Sequence, residues 1–262
     1  MDLGLKDRIA FVTGASRGIG LGIAEGFARE GMHLALFGRD LAACEEIAGG
    51  MRARHPGLRA VAVMVDFEKP DTIRPAVESA VKQLGGVDIL VNCAGGSTRG
   101  ALNDIPDDDW ERHFRVKPLG LMRITRETLP YLKRSAQARV INISGNRGRE
   151  PRTSVMGGPI NLATHSLTKA LANEFGKFGI TVNAIAPGFT KTRRWTELLE
   201  VTAREMGVPV EEVEKQFVSE IPMGRVVLPE DIADLAVFLA SARAGMITGS
   251  AFYVDGGNSR SI

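Results

Sequence analysis

The sequence predicts an α/β chain built on one doubly wound, parallel, seven-stranded sheet. Three observations predict it. Short apolar runs alternate with helical patterns from end to end, the order of strands joined by helical crossovers. The runs are apolar at successive residues, as in strands covered on both faces. The first run passes directly into a glycine turn and a helix start.

The elements follow in order. Ile9-Ala10-Phe11-Val12 is the first strand and Leu21–Ala28 the body of the first helix. His33–Phe37 is the second strand; Gly38-Arg39-Asp40 ends it, and Asp40 suits the N-cap of a helix from Leu41 to about Arg54. His55-Pro56-Gly57 is a turn, Ala60–Val65 the third strand, and Pro70–Gln83 a helix with Ile73, Val77 and Val81 at helical spacing. Gly85-Gly86 precedes the fourth strand, Val87–Val91. A loop at 95–100 leads into one helical region from Asp107 to about Lys133, in which Pro118 should introduce a kink. Ala138–Ser144 is the fifth strand, about Ile160 to Phe178 a helix, and Ile180–Ala186 the sixth strand. Helices at Trp195–Met206, Pro209–Val218 and Pro229–Leu239 precede the seventh strand, Ala251–Val254.

Right-handed crossovers make this a single domain over 1–262, with ligands expected beyond the carboxyl ends of the strands. The tails at Gly14, Asn92, Ser144 and Pro187 should therefore face one cleft, and the polar stretch 190–219 should lie over it.

Composition narrows the class. A 44% hydrophobic, 24% charged chain of 262 residues is that of a soluble globular protein. Its 33 basic and 31 acidic residues leave a net charge of +2, which gives nucleic acid or an anionic membrane no reason to be a partner. Two distant cysteines, Cys44 and Cys93, argue against a disulfide framework and for a reducing, cytoplasmic setting; Cys44 reads as packing. No apolar run reaches the roughly 18 residues of a membrane helix, and the N-terminus lacks a signal-peptide pattern. Nothing suggests a metal site.

The chemistry begins at Phe11-Val12-Thr13-Gly14-Ala15-Ser16-Arg17-Gly18-Ile19-Gly20. Glycines let the backbone turn tightly and approach a phosphate, and a helix N-terminus offers unpaired N–H groups and a partial positive charge. The spacing TGxxxGIG resembles that of the short-chain dehydrogenase/reductase family. Asn92-Cys93-Ala94-Gly95 resembles the family's NNAG stretch, Pro187-Gly188 its PG motif, and Thr248-Gly249 with Val254-Asp255-Gly256-Gly257 its C-terminal signature. The resemblance spans nearly the whole chain. It implies a Rossmann-type domain, a bound nicotinamide dinucleotide, and contacts from Gly14, Ser16, Arg17, Gly18, Ile19, Gly20, Arg39, Asp66, Phe67, Asn92, Ala94, Gly95, Pro187, Gly188, Phe189 and Thr192.

The end of the second strand selects the dinucleotide. An acidic residue there binds a free ribose 2′-hydroxyl and repels a 2′-phosphate. This chain has Gly38 and Arg39, with Arg17 on the same side, and two guanidiniums favour NADP(H) over NAD(H). Asp40 could instead turn inward to a ribose.

The family's proton donor is a tyrosine paired with a lysine four residues later, helped by a serine and a helical asparagine. This chain's tyrosines are Tyr131 and Tyr253, followed four residues on by Ser135 and Gly257, so it has no YxxxK. Registering on Thr168–Glu174 puts Gly157 at the tyrosine and Asn161 at the lysine; Gly145, beside Ser144, falls at the serine; Lys117 falls at the asparagine. Two interpretations follow. In one, an oxidoreductase acts on a carbonyl or alcohol with a substitute proton donor, for which Lys117, Ser144 and Asn161 are the candidates, with Arg147, Ser154 and His165 near the same cleft. In the other, the protein binds NADP(H) and has lost the reaction, serving as a sensor or scaffold or in a non-redox step. His165 reads as helix surface or packing, and Lys169 as surface. The substrate is a small molecule, and Arg147 and Arg149 would tolerate an anionic one. The resemblance also implies a homodimer or homotetramer through the helix bearing Trp110, Phe114, Leu119, Met122 and Ile124, and a substrate lid at 190–219.

Overall fold

A computed structural model describes residues 2–151 and 155–261. Seven parallel strands form one sheet in the order β3-β2-β1-β4-β5-β6-β7. They are β1 Ile9–Thr13, β2 His33–Gly38, β3 Ala60–Met64, β4 Ile89–Asn92, β5 Arg139–Ile143, β6 Thr181–Pro187 and β7 Ala251–Val254. The order reverses between β1 and β4, so the carboxyl ends of those strands open the crevice where ligands settle in such sheets.

The strands alternate their side chains between two cores. Ala10, Val12, Leu34, Leu36, Ile89, Val91, Ile141 and Ile185 face one; Phe11, Ala35, Phe37, Val63, Leu90, Val140 and Val182 face the other. Helices α1 Gly18–Arg29, α2 Leu41–Arg54 and α9 Pro229–Ala240 cover the first core. Helices α3 Ile73–Leu84, α5 Pro118–Leu132 and α6 Gly157–Phe175 cover the second. Both faces of every central strand are thus dry, which is why the sequence shows continuous apolar runs.

Glycines set the closest packing on the first face. A Cβ at Gly22 would come within 2.7 Å of Pro229 Cβ, and one at Gly26 within 3.2 Å of Ala233 Cβ, so α1 lies directly on α9.

The predicted long helix is two. α4 Asp107–Val116 ends at Lys117, and α5 starts at Pro118. Proline has no N–H to continue the ladder and fits the first helical position, so the chain breaks where a kink was expected. Lys117, at φ −89° and ψ −76°, is the junction. The helix expected from Ile160 begins earlier, at Gly157.

The stretch 190–219 carries α7 Arg193–Met206 and α8 Val210–Ser219 around a small core of its own. Trp195, Leu199 and Val213 are buried in it, and the Phe189, Trp195 and Phe217 rings meet at centroid distances of 5.0–5.6 Å. Among the described residues no helix is long and apolar enough to cross a membrane, and no group of three or more His, Cys, Asp or Glu could hold a metal.

Of the residues expected at an oligomer face, Ile124 is fully buried in the second core. Trp110 and Phe114 pack on Ile105, Met156 and Ile160, whereas Leu119 stays 42% exposed. Cys44 is buried directly under Gly38, where a Cβ would stand 2.6 Å from its sulfur.

Candidate active site

The glycine turn is shaped by close approach. Gly14 has φ +66°, and a Cβ there would press to 3.1 Å on Ala94 Cα. A Cβ at Gly20 would collide with the Gly14 carbonyl, and Gly18 has φ +57°. Thr13 ties this turn to the Asn92 stretch, its Oγ1 accepting the N–H groups of Cys93 at 2.9 Å and Ala94 at 3.0 Å. Helix α1 begins without a side-chain cap or an acidic residue in its first turn, so its N-terminal donors and dipole face the cleft uncompensated. These features fit a dinucleotide pyrophosphate.

The specificity end is equally open. Arg17 is exposed, and Arg39 is 69% exposed with only a 3.4 Å contact to Glu68. Asp40 is committed elsewhere: its Oδ1 caps α2 by accepting the Ala43 N–H at 3.0 Å. No acidic side chain therefore competes from that position. Asp66 Oδ1 accepts the Glu68 N–H at 3.0 Å, shaping the loop after β3, and Phe67 is buried against Gly120.

Asn92 turns its side chain into the core rather than the cleft. Its Nδ2 donates to Asn142 Oδ1 at 2.9 Å and Thr125 Oγ1 at 3.2 Å, joining β4 to β5 and α5. Gly95, at φ +122°, passes close to Lys117, where a Cβ would come within 2.9 Å of Lys117 Cβ. Pro187 ends β6, and Gly188 has no room for a Cβ beside Asp255. Thr192 stands just before α7 beside Gly18, a Cβ at Gly18 lying 3.4 Å from Thr192 Cγ2. A cleft of about 460 Å³ runs along this seam, between Gly18, Gly22, Thr192 and Pro229.

Lys117, Ser144 and Asn161 come together beyond the Gly95 loop. Lys117 reaches across from the α4–α5 junction, and its Nζ donates to Asn161 Oδ1 at 2.8 Å and to the Ser144 carbonyl at 3.0 Å. Asn161 is turned by its own helix, its Nδ2 donating to the Gly157 carbonyl at 2.8 Å. The Lys117 and Asn161 side chains thus meet from the α4–α5 junction and from α6. Gly145 lies against Asn161. A Cβ there would lie 2.8 Å from Asn161 Nδ2, so a serine at 145 and the present Asn161 rotamer exclude each other.

Burial, opposed by Cys93 and aided by the charge of Arg194, lowers the Lys117 ammonium to about 8 from an ordinary 10.5. Burial also pushes the Cys93 thiol up to about 12. Ser144 presents only its carbonyl to Lys117. Its hydroxyl donates to the Ile185 carbonyl at 3.1 Å and meets His165 Nε2 at 2.7 Å.

His165, expected at the helix surface or in packing, packs beside Ser144 and Tyr253. It lies four residues after Asn161 on the same face of α6, with Tyr253 edge-on at 6.1 Å. Burial first, and Lys117 second, lower it to about 4, so it stays neutral and orients Ser144. Its i+4 relation to Asn161 was the sequence signal that it belonged there. Arg194, in the first turn of α7, was missed altogether: its Nη2 donates to the Ser97 carbonyl and, at 3.3 Å, to Ser97 Oγ. Arg147 lies over the Phe189 ring at 5.4 Å, and Arg149 over Tyr253 at 4.9 Å. Lys169 is exposed, as expected, and Ser154 lies outside the described residues.

Residues 14–259 match the family model described as "Enoyl-(Acyl carrier protein) reductase". The chain belongs to the short-chain dehydrogenase/reductase family. It is 34% identical to the "Short-chain reductase protein NovJ" of Streptomyces niveus over 96% of this chain and 94% of that protein. It is also 34% identical to the D-beta-hydroxybutyrate dehydrogenase of Cupriavidus necator, over 97% of this chain and 98% of that one. Among solved structures, the L-sorbose reductase of Gluconobacter frateurii, complexed with NADPH and L-sorbose, superposes with a TM-score of 0.94 at 31% identity, covering 100% of both chains.

Proposed function

We propose that the chain is an NADP(H)-dependent short-chain oxidoreductase acting on a carbonyl or alcohol, with Lys117 as its proton donor. The observation that carries this reading is the Lys117 ammonium, held between Asn161 Oδ1 and the Ser144 carbonyl at 2.8 and 3.0 Å. Bound NADP(H) supplies or accepts the hydride. Gly14, Ser16, Gly18, Ile19 and Gly20 cradle its pyrophosphate, Arg17 and Arg39 pair with its 2′-phosphate, and Ala94, Gly95, Pro187, Gly188, Phe189 and Thr192 border its nicotinamide end. Asp66 and Phe67 border the adenine end, and Asn92 holds β4 in register. The relative crystallised with NADPH supports this choice of dinucleotide.

The proton chemistry follows from the donor count. An ammonium has three N–H bonds. Asn161 Oδ1 and the Ser144 carbonyl take two, and both are pure acceptors. The third N–H is left for the substrate oxygen, whose developing negative charge it neutralises. The neutral amine that remains keeps its two anchors, and its lone pair points where the proton left. An acid lowered to about 8 matches a working pH near neutrality.

The segment 190–219 is proposed as the substrate lid, and the protein as a cytoplasmic homo-oligomer that uses the exposed Leu119 side of α5. The substrate is a small molecule, and the cationic lining of its side of the cleft favours one that carries an anion. A second reading, dinucleotide binding without redox chemistry, draws on the glycine at position 157.

A fluorescence titration with NADPH and NADH, followed by a turnover screen over carbonyls and alcohols, tests both readings. Preferential NADPH binding with substrate-dependent oxidation is expected. Tight binding without turnover across the panel would favour the second reading, and failure to bind either dinucleotide would sink both.

A further inference from the structure

We propose that Arg194 receives a carboxylate carried by the substrate, so that the substrate class is a small oxo acid and the corresponding hydroxy acid. This rests on the oxidoreductase function proposed above.

Gly157 is the first residue of α6. Without a tyrosine side chain, the space in front of this residue is bounded by other groups: a Cβ there would lie 3.8 Å from Ser97 Oγ, 3.8 Å from Arg147 Cβ and 3.9 Å from Arg147 Cγ. Ser97 is the residue that Arg194 grips. The guanidinium therefore arrives from the α7 side at the edge of the volume that the family's tyrosine would fill. Lys117 packs on the same loop, a Cβ at Gly95 coming within 2.9 Å of Lys117 Cβ. Two cations, Lys117 and Arg194, thus flank the 95–97 loop.

The grip is built rather than incidental. Gly96 lies directly against it, where a Cβ would stand 2.5 Å from Arg194 Nη1 and the guanidinium would have to move. The loop is held in turn from below. Thr98 Oγ1 donates to Asp109 Oδ2 at 2.8 Å and meets His113 Nε2 at 2.9 Å, so helix α4 anchors the residue next to Ser97. A second cross-link, Arg99 Nη1 to Thr202 Oγ1 at 3.4 Å, joins the same loop to α7.

What this guanidinium lacks is an anion. Its Nη2 is shared by a carbonyl and a hydroxyl, and among the described residues no acceptor meets its Nη1 or Nε and no carboxylate lies within 4.0 Å. Glu197 acts on it only at longer range and is itself bonded to Arg193 at 2.7 Å. The fork of an arginine fits a carboxylate in two parallel hydrogen bonds. An oxo acid places that carboxylate beside Arg194 and its carbonyl oxygen at Lys117.

The test uses the protein saturated with NADP+, which forms no product with an oxo acid. Acetoacetate and levulinate are titrated calorimetrically against their methyl esters, in the parent and in Arg194→Gln. The acids should bind the parent at least tenfold tighter than the esters. Arg194→Gln should abolish that preference with ester affinity unchanged, and Arg194→Lys should restore only part of it. Gly157→Asp, at a helix start where a Cβ would meet neighbours only at 3.8–3.9 Å, should weaken acid binding more than tenfold without unfolding the protein. Equal binding of acids and esters by the parent, no binding of either acid, or a preference that survives Arg194→Gln would overturn the proposal. If neutral ketones are reduced while the acid preference is absent, only the carboxylate falls; loss of NADP+ binding takes the proposed function down with it.

Discussion

The two halves of the cleft are built on different principles. The dinucleotide half is made of backbone: glycines at 14, 18 and 20, an uncapped helix start, and strand ends stitched by Thr13. The chemical half is made of side chains: Lys117, Asn161 and the Ser144 carbonyl, with His165 behind. Backbone machinery cannot be relocated, because a Cβ at Gly20 strikes the Gly14 carbonyl wherever the rest of the sequence goes. Side-chain machinery can be. Lys117 and Asn161, from different elements, bring an ammonium and an amide oxygen to within 2.8 Å. On the function proposed above, the donors of this site can move across the cleft while the cofactor grip stays in place.

The sharpest break in that comparison is Lys117→Ala. It should lower kcat/KM by roughly 10²–10⁴-fold, the span of a lost general acid, while NADPH affinity stays within about twofold. Steady-state kinetics with a parallel fluorescence titration reads both halves at once, and retained turnover would remove Lys117 from the chemistry.

Gly145→Ser is next. The hydroxymethyl group would drive into Asn161 and displace the acceptor that holds Lys117. A drop in kcat of about tenfold or more is expected, with cofactor binding preserved; an unaffected kcat would mean that the Lys117–Asn161 bond is dispensable.

In the other half, Arg39→Asp should shift the ratio of NADPH to NADH affinity by about tenfold or more toward NADH, because it exchanges a charge-assisted partner for a repelling one. No change in the ratio would assign the 2′-phosphate to other groups.

The mildest test is pH. The proposed reduction draws its proton from the Lys117 ammonium, and burial lowers this group to about 8. The rate of carbonyl reduction should therefore fall as pH rises through about 8. Alcohol oxidation needs the neutral amine and should rise over the same interval. Asp40→Ala, by contrast, removes only the cap of α2 and should cost about 1 kcal/mol of stability with little effect on either rate.

Legibility in the sequence followed the same divide. The seven strands, the glycine turn and the order of the helices could be read because apolar periodicity and glycine spacing are local signals. The split at Lys117 was half visible: Pro118 announced a break, but not that the junction residue would reach into the cleft. His165 was read as surface or packing because nothing along the chain places Ser144 against it, and Arg194 passed as one more cation in a polar stretch. Ile124 stood open between an interface and the core because a helical stripe does not say which neighbour covers it.

By itself the sequence determined the doubly wound sheet, the position of the dinucleotide turn and the absence of a YxxxK pair, since each depends on residues adjacent in the chain. Only the tertiary structure decided that Lys117 and Asn161, 44 residues apart, share a hydrogen bond, and that Gly145 must be glycine to admit them. The reason is physical. A turn or strand is specified by local backbone preference and apolar pattern, whereas a side-chain site is specified by which helices the sheet brings face to face.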